Sequence, residues 1–300
     1  LERWLAVNIG VTLPFSRFGK LVKQVEYEAA DYGGDGFSDI YGQTLYEWRF
    51  HQTMPLWKLN VPLIILPQTI GPFKTKANYD FAVKVLRHAK TVFVRDAKFE
   101  DELKKLGIKY ERTKDLSAFM KPKPWNIEIK DNAIGINVSG LTYSNNFVGL
   151  EKQFDVYPEL IDKLIRQFRE LGHPIYLIPH SYNYNVPEPN NDDMVACRQA
   201  YGRLDDKSNV YVVDKDLIAP EIKYVISKMK FFIGTRMHAN FAAIYTNVPL
   251  FGLAYSYKFA GAFNANGLDG EKQTYMINNM KNEQIQEVID KILNMYNSIK

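Results

Sequence analysis

Cysteine is nearly absent: Cys197 is the only one in 300 residues. A lone cysteine excludes an intrachain disulfide and any cysteine-based zinc site. Such sparing use fits a reducing compartment, and we expect a cytoplasmic protein. Also missing is any run of about 18 apolar residues, so no segment reads as membrane-spanning. The opening residues carry no signal-peptide pattern. No Gly-x-Gly-x-x-Gly is present to bind a dinucleotide. No cluster of ligating side chains reads as a metal site. Charge of one sign is scarce too, with a net charge of +4 and a pI of about 8.8. That is too weak to argue for nucleic acid. It is compatible with an anionic substrate, or with peripheral association at the inner face of a membrane.

What is present is ordinary in bulk. The chain is 46% apolar and 24% charged, as in soluble globular proteins. Its length suits two domains or one large one. Aromatic residues reach 14%, with 19 Tyr and 18 Phe. Tyr-rich surfaces suit carbohydrate contact, while core filling is the commoner use. The chain opens on Leu1 and reads there as mid-domain sequence, so further residues are expected before position 1.

Residues 5–11 suggest a strand and 18–27 a short helix. Then Asp31-Tyr32-Gly33-Gly34-Asp35-Gly36-Phe37-Ser38-Asp39 places three glycines in four residues, a loop that must approach something closely. Asp35 and Asp39 either hold a hydroxyl-rich ligand there or cap a tight turn. From residue 46 a unit repeats: helix 46–59, strand 61–66, loop, helix 77–88, strand 91–94, helix 99–106. This is the pattern of a parallel doubly wound α/β fold. Strand 91–94 ends in Arg95-Asp96, a ligand contact or a cap for the next helix.

Lys121-Pro122-Lys123-Pro124-Trp125 is a stiff connector, and we expect domains at 1–124 and 125–300. The pattern restarts with strand 133–138, a polar loop 139–149, helix 157–171 and strand 175–178, which ends in Pro179-His180. His180 is a ligand contact, a second acid–base group or a solvated side chain. A helix over 190–201 starts with Asn190-Asn191-Asp192-Asp193, acids that suit a helix N-terminus. Strand 209–213, helix 219–229 and strand 248–253 follow. Helix 281–300 is expected to cross back onto the first domain.

Between them lies the most informative stretch, Phe231-Phe232-Ile233-Gly234-Thr235-Arg236-Met237-His238-Ala239-Asn240. It reads as a buried strand, a tight turn and a helix start, where unpaired N–H groups favour an anion. Arg236 adds a planar cationic fork and His238 a proton donor near neutral pH. Lys258, past the next strand, adds positive charge. Residues two apart do not share a helix face, so Arg236 is expected at the turn and His238 in the first helical turn. The alternative is an arginine closing a salt bridge and a half-buried histidine filling space. In the site reading, strand-end loops bring Arg95, His180, Arg236, His238 and Lys258 to one interdomain cleft.

With these residues set out, the chain resembles the polysaccharide pyruvyl transferase family. The matching segments are Gly33-Gly34-Asp35-Gly36, Leu66-Pro67-Gln68-Thr69-Ile70-Gly71-Pro72-Phe73, Val94-Arg95-Asp96, Ile178-Pro179-His180 and Gly234-Thr235-Arg236-Met237-His238-Ala239 before Val248-Pro249. The resemblance implies two Rossmann-like domains in a GT-B-like arrangement with an interdomain cleft. It implies transfer of a pyruvyl group from phosphoenolpyruvate, a co-substrate, to two sugar hydroxyls as a cyclic ketal. No further cofactor and no metal are implied. Partners would be phosphoenolpyruvate and a sugar, lipid-linked sugar or polysaccharide acceptor. By the same resemblance Arg236 and His238 contact the donor and Arg95 contributes; from their chemistry His238 is expected as general acid with Arg236 beside it in catalysis, and Gly234, Thr235 and Lys258 are expected to assist donor binding. Asp35, Asp39, Gln68 and His180 are expected on the acceptor side. The family's glycine loop is closer to Gly-Gly-Gly-Asn and follows an apolar strand, whereas Glu26-Tyr27-Glu28-Ala29-Ala30 is a poor strand, so residues are expected to be missing near position 30. A nucleotide-sugar glycosyltransferase or epimerase of like architecture, and a carbohydrate-binding relative without chemistry, are the alternatives.

Overall fold

The computed structural model describes residues 1–299, which divide into two units, 1–116 and 117–299. Each is an α/β structure built on a parallel sheet.

The first unit runs α1 (Glu2–Ile9), α2 (Arg17–Val22), β1 (Glu28–Ala30), α3 (Gln43–Lys58), β2 (Leu63–Gln68), α4 (Lys76–His88), β3 (Ala89–Val94), α5 (Glu100–Lys105) and β4 (Glu111–Arg112). Its strands pair in the order β1-β2-β3-β4, all parallel. Leu63 and Ile65 of β2, Val92 and Val94 of β3, and Phe50 of α3 share its core. The strand expected over 5–11 is instead α1. This helix packs along α3, buries Ala6 and ends at Gly10 in the left-handed conformation. Tertiary packing overrides the β-branched character of that run. The poor strand before the glycine loop does form: β1 pairs with β2 from Glu28 opposite Leu63 to Ala30 opposite Ile65 and leads straight into the loop.

The second unit runs β5 (Ile134–Asn137), α6 (Gly140–Ser144), α7 (Tyr157–Glu170), β6 (Ile175–Leu177), α8 (Asp193–Gly202), β7 (Val210–Val212), α9 (Ala219–Ile226), β8 (Phe231–Gly234), α10 (Met237–Ile244), β9 (Leu250–Ala254), α11 (Lys258–Ala265), β10 (Thr274–Met276) and α12 (Gln284–Asn297). The parallel strand order is β10-β9-β8-β5-β6-β7. The chain starts mid-sheet, winds outward to β7, then returns to β8 and winds the other way. The reversal between β5 and β8 opens a crevice at the strands' C-terminal ends, the ligand position in such sheets. Both faces of the sheet are covered. Phe231 and Ile233 enter one apolar cluster with α7 and α12, and Phe232 enters the other with α9 and α10. A strand buried on both faces reads as an unbroken apolar run.

Two expectations about chain path change. The units divide ahead of the Lys121–Trp125 connector, because residues 117–123 are tied to the second unit. Buried Lys223 on α9 donates to the carbonyls of Ser117 and Met120 (2.7 Å each), and the Lys123 N–H donates to the Pro220 carbonyl. The terminal helix α12, expected to cross to the first domain, buries Ile285, Val288, Ile289 and Ile292 in the core of the second.

Candidate active site

At the β5/β8 reversal, Asn137 stands opposite Gly234 at the last paired position. Gly234 is glycine for a packing reason. A Cβ there would overlap the Asn240 side-chain oxygen. Asn240, fully buried, donates its amide to the carbonyls of Gly234 and Arg236 (both 3.1 Å), which folds the turn back on its own helix. Thr235 is buried and its hydroxyl bonds the Tyr157 hydroxyl at 2.8 Å.

Arg236 is the N-cap residue of α10, in extended backbone conformation. His238 is the second residue of the helix, exposed, with its ring edge-on to Phe241. The arginine is 9% exposed and heavily engaged. Its Nε and Nη2 donate to Asp193 Oδ1 (3.0 and 2.8 Å), and Nη2 also reaches the Asn191 carbonyl and Oδ1. Its N–H donates to Asn137 Oδ1. Burial pulls its pKa down, but Asp193 and Tyr255 outweigh that, and the guanidinium is held above its ordinary value.

Asp193 is the residue that sequence reasoning passed over. It is fully buried at the first position of α8. Asp192 does the capping, accepting from the N–H groups of Met194 and Val195. Asp193 turns inward and accepts from Arg236, the Gly140 N–H (2.8 Å), Asn137 Nδ2 (3.2 Å), and the N–H groups of His180 and Ser181 (3.0 Å each). The available signal was the doubled acid, since one cap needs one carboxylate. Ser139, at the end of β5, is a second unforeseen residue. It is buried, and among the described residues its Oγ has no hydrogen-bond partner.

His180, half-buried past β6, joins this neighbourhood. Its pKa is lowered to about 4, chiefly by burial, with His238 and Arg236 adding to the fall and Asp193 opposing it. It is therefore neutral at pH 7. Lys258 is half-buried and opens α11, where a cation faces the positive end of the helix dipole.

In the first unit the glycine loop is pinned by its backbone. The Thr69 N–H donates to the Gly34 carbonyl and the Gly71 N–H to the Phe37 carbonyl. Gly33 and Gly34 have positive φ, which favours glycine. Asp35 is half-buried and accepts from the Tyr41 hydroxyl at 2.8 Å. Asp39 and Gln68, expected at an acceptor, are buried at 2% and 0% exposure. Asp39 accepts from the Lys74 N–H and from Asn78 Nδ2. Gln68 accepts from the Tyr32 N–H and donates to the carbonyls of Ala30 and Leu66. Both carry local structure. Arg95 lies against Gly34 and donates to Asp115 Oδ2 (2.7 Å) and the Thr69 hydroxyl (3.0 Å). Among the described residues no group of three His, Cys, Asp or Glu side chains is arranged to hold a metal ion.

A solved structure agrees with this architecture. A candidate UDP-N-acetylglucosamine 2-epimerase from Listeria monocytogenes superposes with a TM-score of 0.53 at 12% identity, over 96% of this chain and 75% of that one. An α,α-trehalose-phosphate synthase (UDP-forming) from Burkholderia vietnamiensis matches at a TM-score of 0.39 and 10% identity, over 99% and 78%. The fold is GT-B-like. The polysaccharide pyruvyl transferase family matches residues 15–257, which include the glycine loop, Arg95, Asp193 and the Gly234–His238 turn. The chain belongs to the polysaccharide pyruvyl transferase family, a family of transferases.

Proposed function

We propose that this protein moves a pyruvyl group from phosphoenolpyruvate onto two hydroxyls of a sugar, forming a cyclic ketal and releasing phosphate. The observation that carries the reading is the family match over residues 15–257, whose matched residues form the turn at the β5/β8 reversal. The donor brings a carboxylate and a phosphate. The first-turn N–H groups of α10 have no acceptor within the helix and favour such an anion, with the Arg236 edge and Lys258 adding positive charge. His238, exposed in that first turn, is assigned as general acid. It delivers a proton to the methylene carbon of the enol, which leaves an oxocarbenium-like centre at C2. A sugar hydroxyl adds there and gives up its proton. The second hydroxyl then takes the place of phosphate, which departs with the C–O bond electrons, and its proton leaves to solvent. His180, neutral at pH 7, is assigned as a hydrogen-bond partner for an acceptor hydroxyl.

Turnover of phosphoenolpyruvate with candidate glycans tests the assignment. His238→Ala is expected to lower kcat by about 100-fold or more, the scale of a general acid. Full activity in both His238→Ala and Arg236→Ala would overturn it. Release of a nucleotide from nucleotide sugars, with no use of phosphoenolpyruvate, would point to glycosyl transfer or epimerisation instead.

A further inference from the structure

We propose that Asp193 is a positioning residue of this site, the brace that sets Arg236 and His180 in their working places. Three strand ends converge at the sheet reversal, after β5, β6 and β8, and the last ladder bond between β5 and β6 runs from the Ile178 N–H to the Ile136 carbonyl, one residue past β6. Something must hold the loops in register. The Asp193 carboxylate takes a hydrogen bond from each: Gly140 N–H and Asn137 Nδ2 from the β5 end, His180 and Ser181 N–H from the β6 end, and Arg236 Nε and Nη2 from the β8 end. Its own N–H donates back to the Ser181 carbonyl. Position is enforced from behind as well: a Cβ on Gly140 would overlap the backbone of Asp192, so β5's exit is seated directly on the start of α8.

The chemistry of the pair supports the same assignment. A fully buried carboxylate is costly unless paired and hydrogen-bonded, and here the compensating cation is Arg236. Carboxylate and guanidinium therefore fix one another. Arg236 extends the brace to Asn191, at the end of the loop that follows His180. Asp193 is walled off from solvent, so it acts on bound substrate through Arg236 and His180. The charged groups acting on His180 are Asp193, His238 and Arg236. Asp193 alone among them favours the protonated ring.

The functional consequence rests on the pyruvyl-transfer reading, and the test separates the two. Asp193→Asn keeps the shape but leaves one acceptor facing several donors. Per folded molecule, measured well below its thermal transition, it is expected to lose about 100-fold in kcat, with the KM for phosphoenolpyruvate raised as Arg236 loses its place at the donor. The ring resonances of His180, followed by NMR against pH, are expected to shift to lower apparent pKa. Unchanged kcat per folded molecule, or unmoved His180 resonances, would overturn the proposal. If the wild-type protein does not consume phosphoenolpyruvate, the pyruvyl-transfer reading fails, and the histidine resonances still decide whether Asp193 sets the site. If Asp193→Asn does not fold, Arg236→Lys reads the brace from its other end. It keeps the cation but loses the fork. A kcat loss of about 10-fold or more and a displaced His180 resonance are expected. Wild-type values for both would overturn it.

Discussion

A methyl group on Gly234 would overlap the Asn240 side-chain oxygen, and Asn240 cannot move away without releasing the carbonyls of Gly234 and Arg236. Gly234→Ala is therefore expected to lower stability by about 1–3 kcal/mol, the usual range for overpacking, as read by thermal or urea unfolding. A change within a few tenths of a kcal/mol would mean that the turn is more pliant than its packing implies. At this scale the sequence was informative about type and blind to partner. A strand ending in Gly-Thr-Arg-x-His announces a turn at a helix start, and the structure has Arg236 as cap and His238 in the first turn. That Arg236 is gripped by Asp193, 43 residues away, is a tertiary fact. No local pattern encodes it. The same holds for Asp39 and Gln68, whose polar side chains read as ligand contacts and are consumed by nearby backbone groups.

Among the elements, the long apolar strands and amphipathic helices were legible because burial imposes a period. β8 and α7 are clear cases, the latter with Leu160, Ile161, Leu164, Ile165 and Phe168 all buried. α11 and β10 were not foreseen. The first is Gly- and Ala-rich, and the second is a three-residue edge strand with no fully buried position. The connector shows how an element can be anchored by one side chain. Lys223 is buried on α9, its pKa lowered by desolvation, and it donates to the carbonyls of Ser117 and Met120. Lys223→Met keeps the apolar stem and removes both bonds. We expect a loss of about 2 kcal/mol and faster chymotryptic cleavage after the exposed Phe119, which lies between the two tethered carbonyls. Unchanged cleavage would show that the connector is held by other contacts.

Across the whole molecule, two titratable groups shifted by burial, one in each unit, pull stability in opposite directions with pH. Burial raises the Glu28 pKa from 4.5 to about 7, and that of His180 falls from 6.5 to about 4. Glu28 binds more protons folded than unfolded between those values, so its contribution is present below about pH 4.5 and lost as pH rises through 7. His180 binds fewer protons folded, so its contribution is present above about pH 6.5 and lost as pH falls through 4. Glu28→Gln should make stability climb more steeply with pH across this window, and His180→Gln should flatten or reverse the climb. Parallel pH profiles for the two variants would contradict these environments.

The proposed transfer has a fixed stoichiometry. Its most direct measurement is the ratio of phosphate released to ketal formed, followed together by NMR with phosphoenolpyruvate labelled at the methylene carbon and a polysaccharide-type acceptor. One phosphate per ketal, a new methyl signal on the sugar product, and loss of both in His238→Ala are expected. Phosphate released without ketal, or ketal formed as readily by His238→Ala as by the wild-type protein, would contradict the proposed transfer.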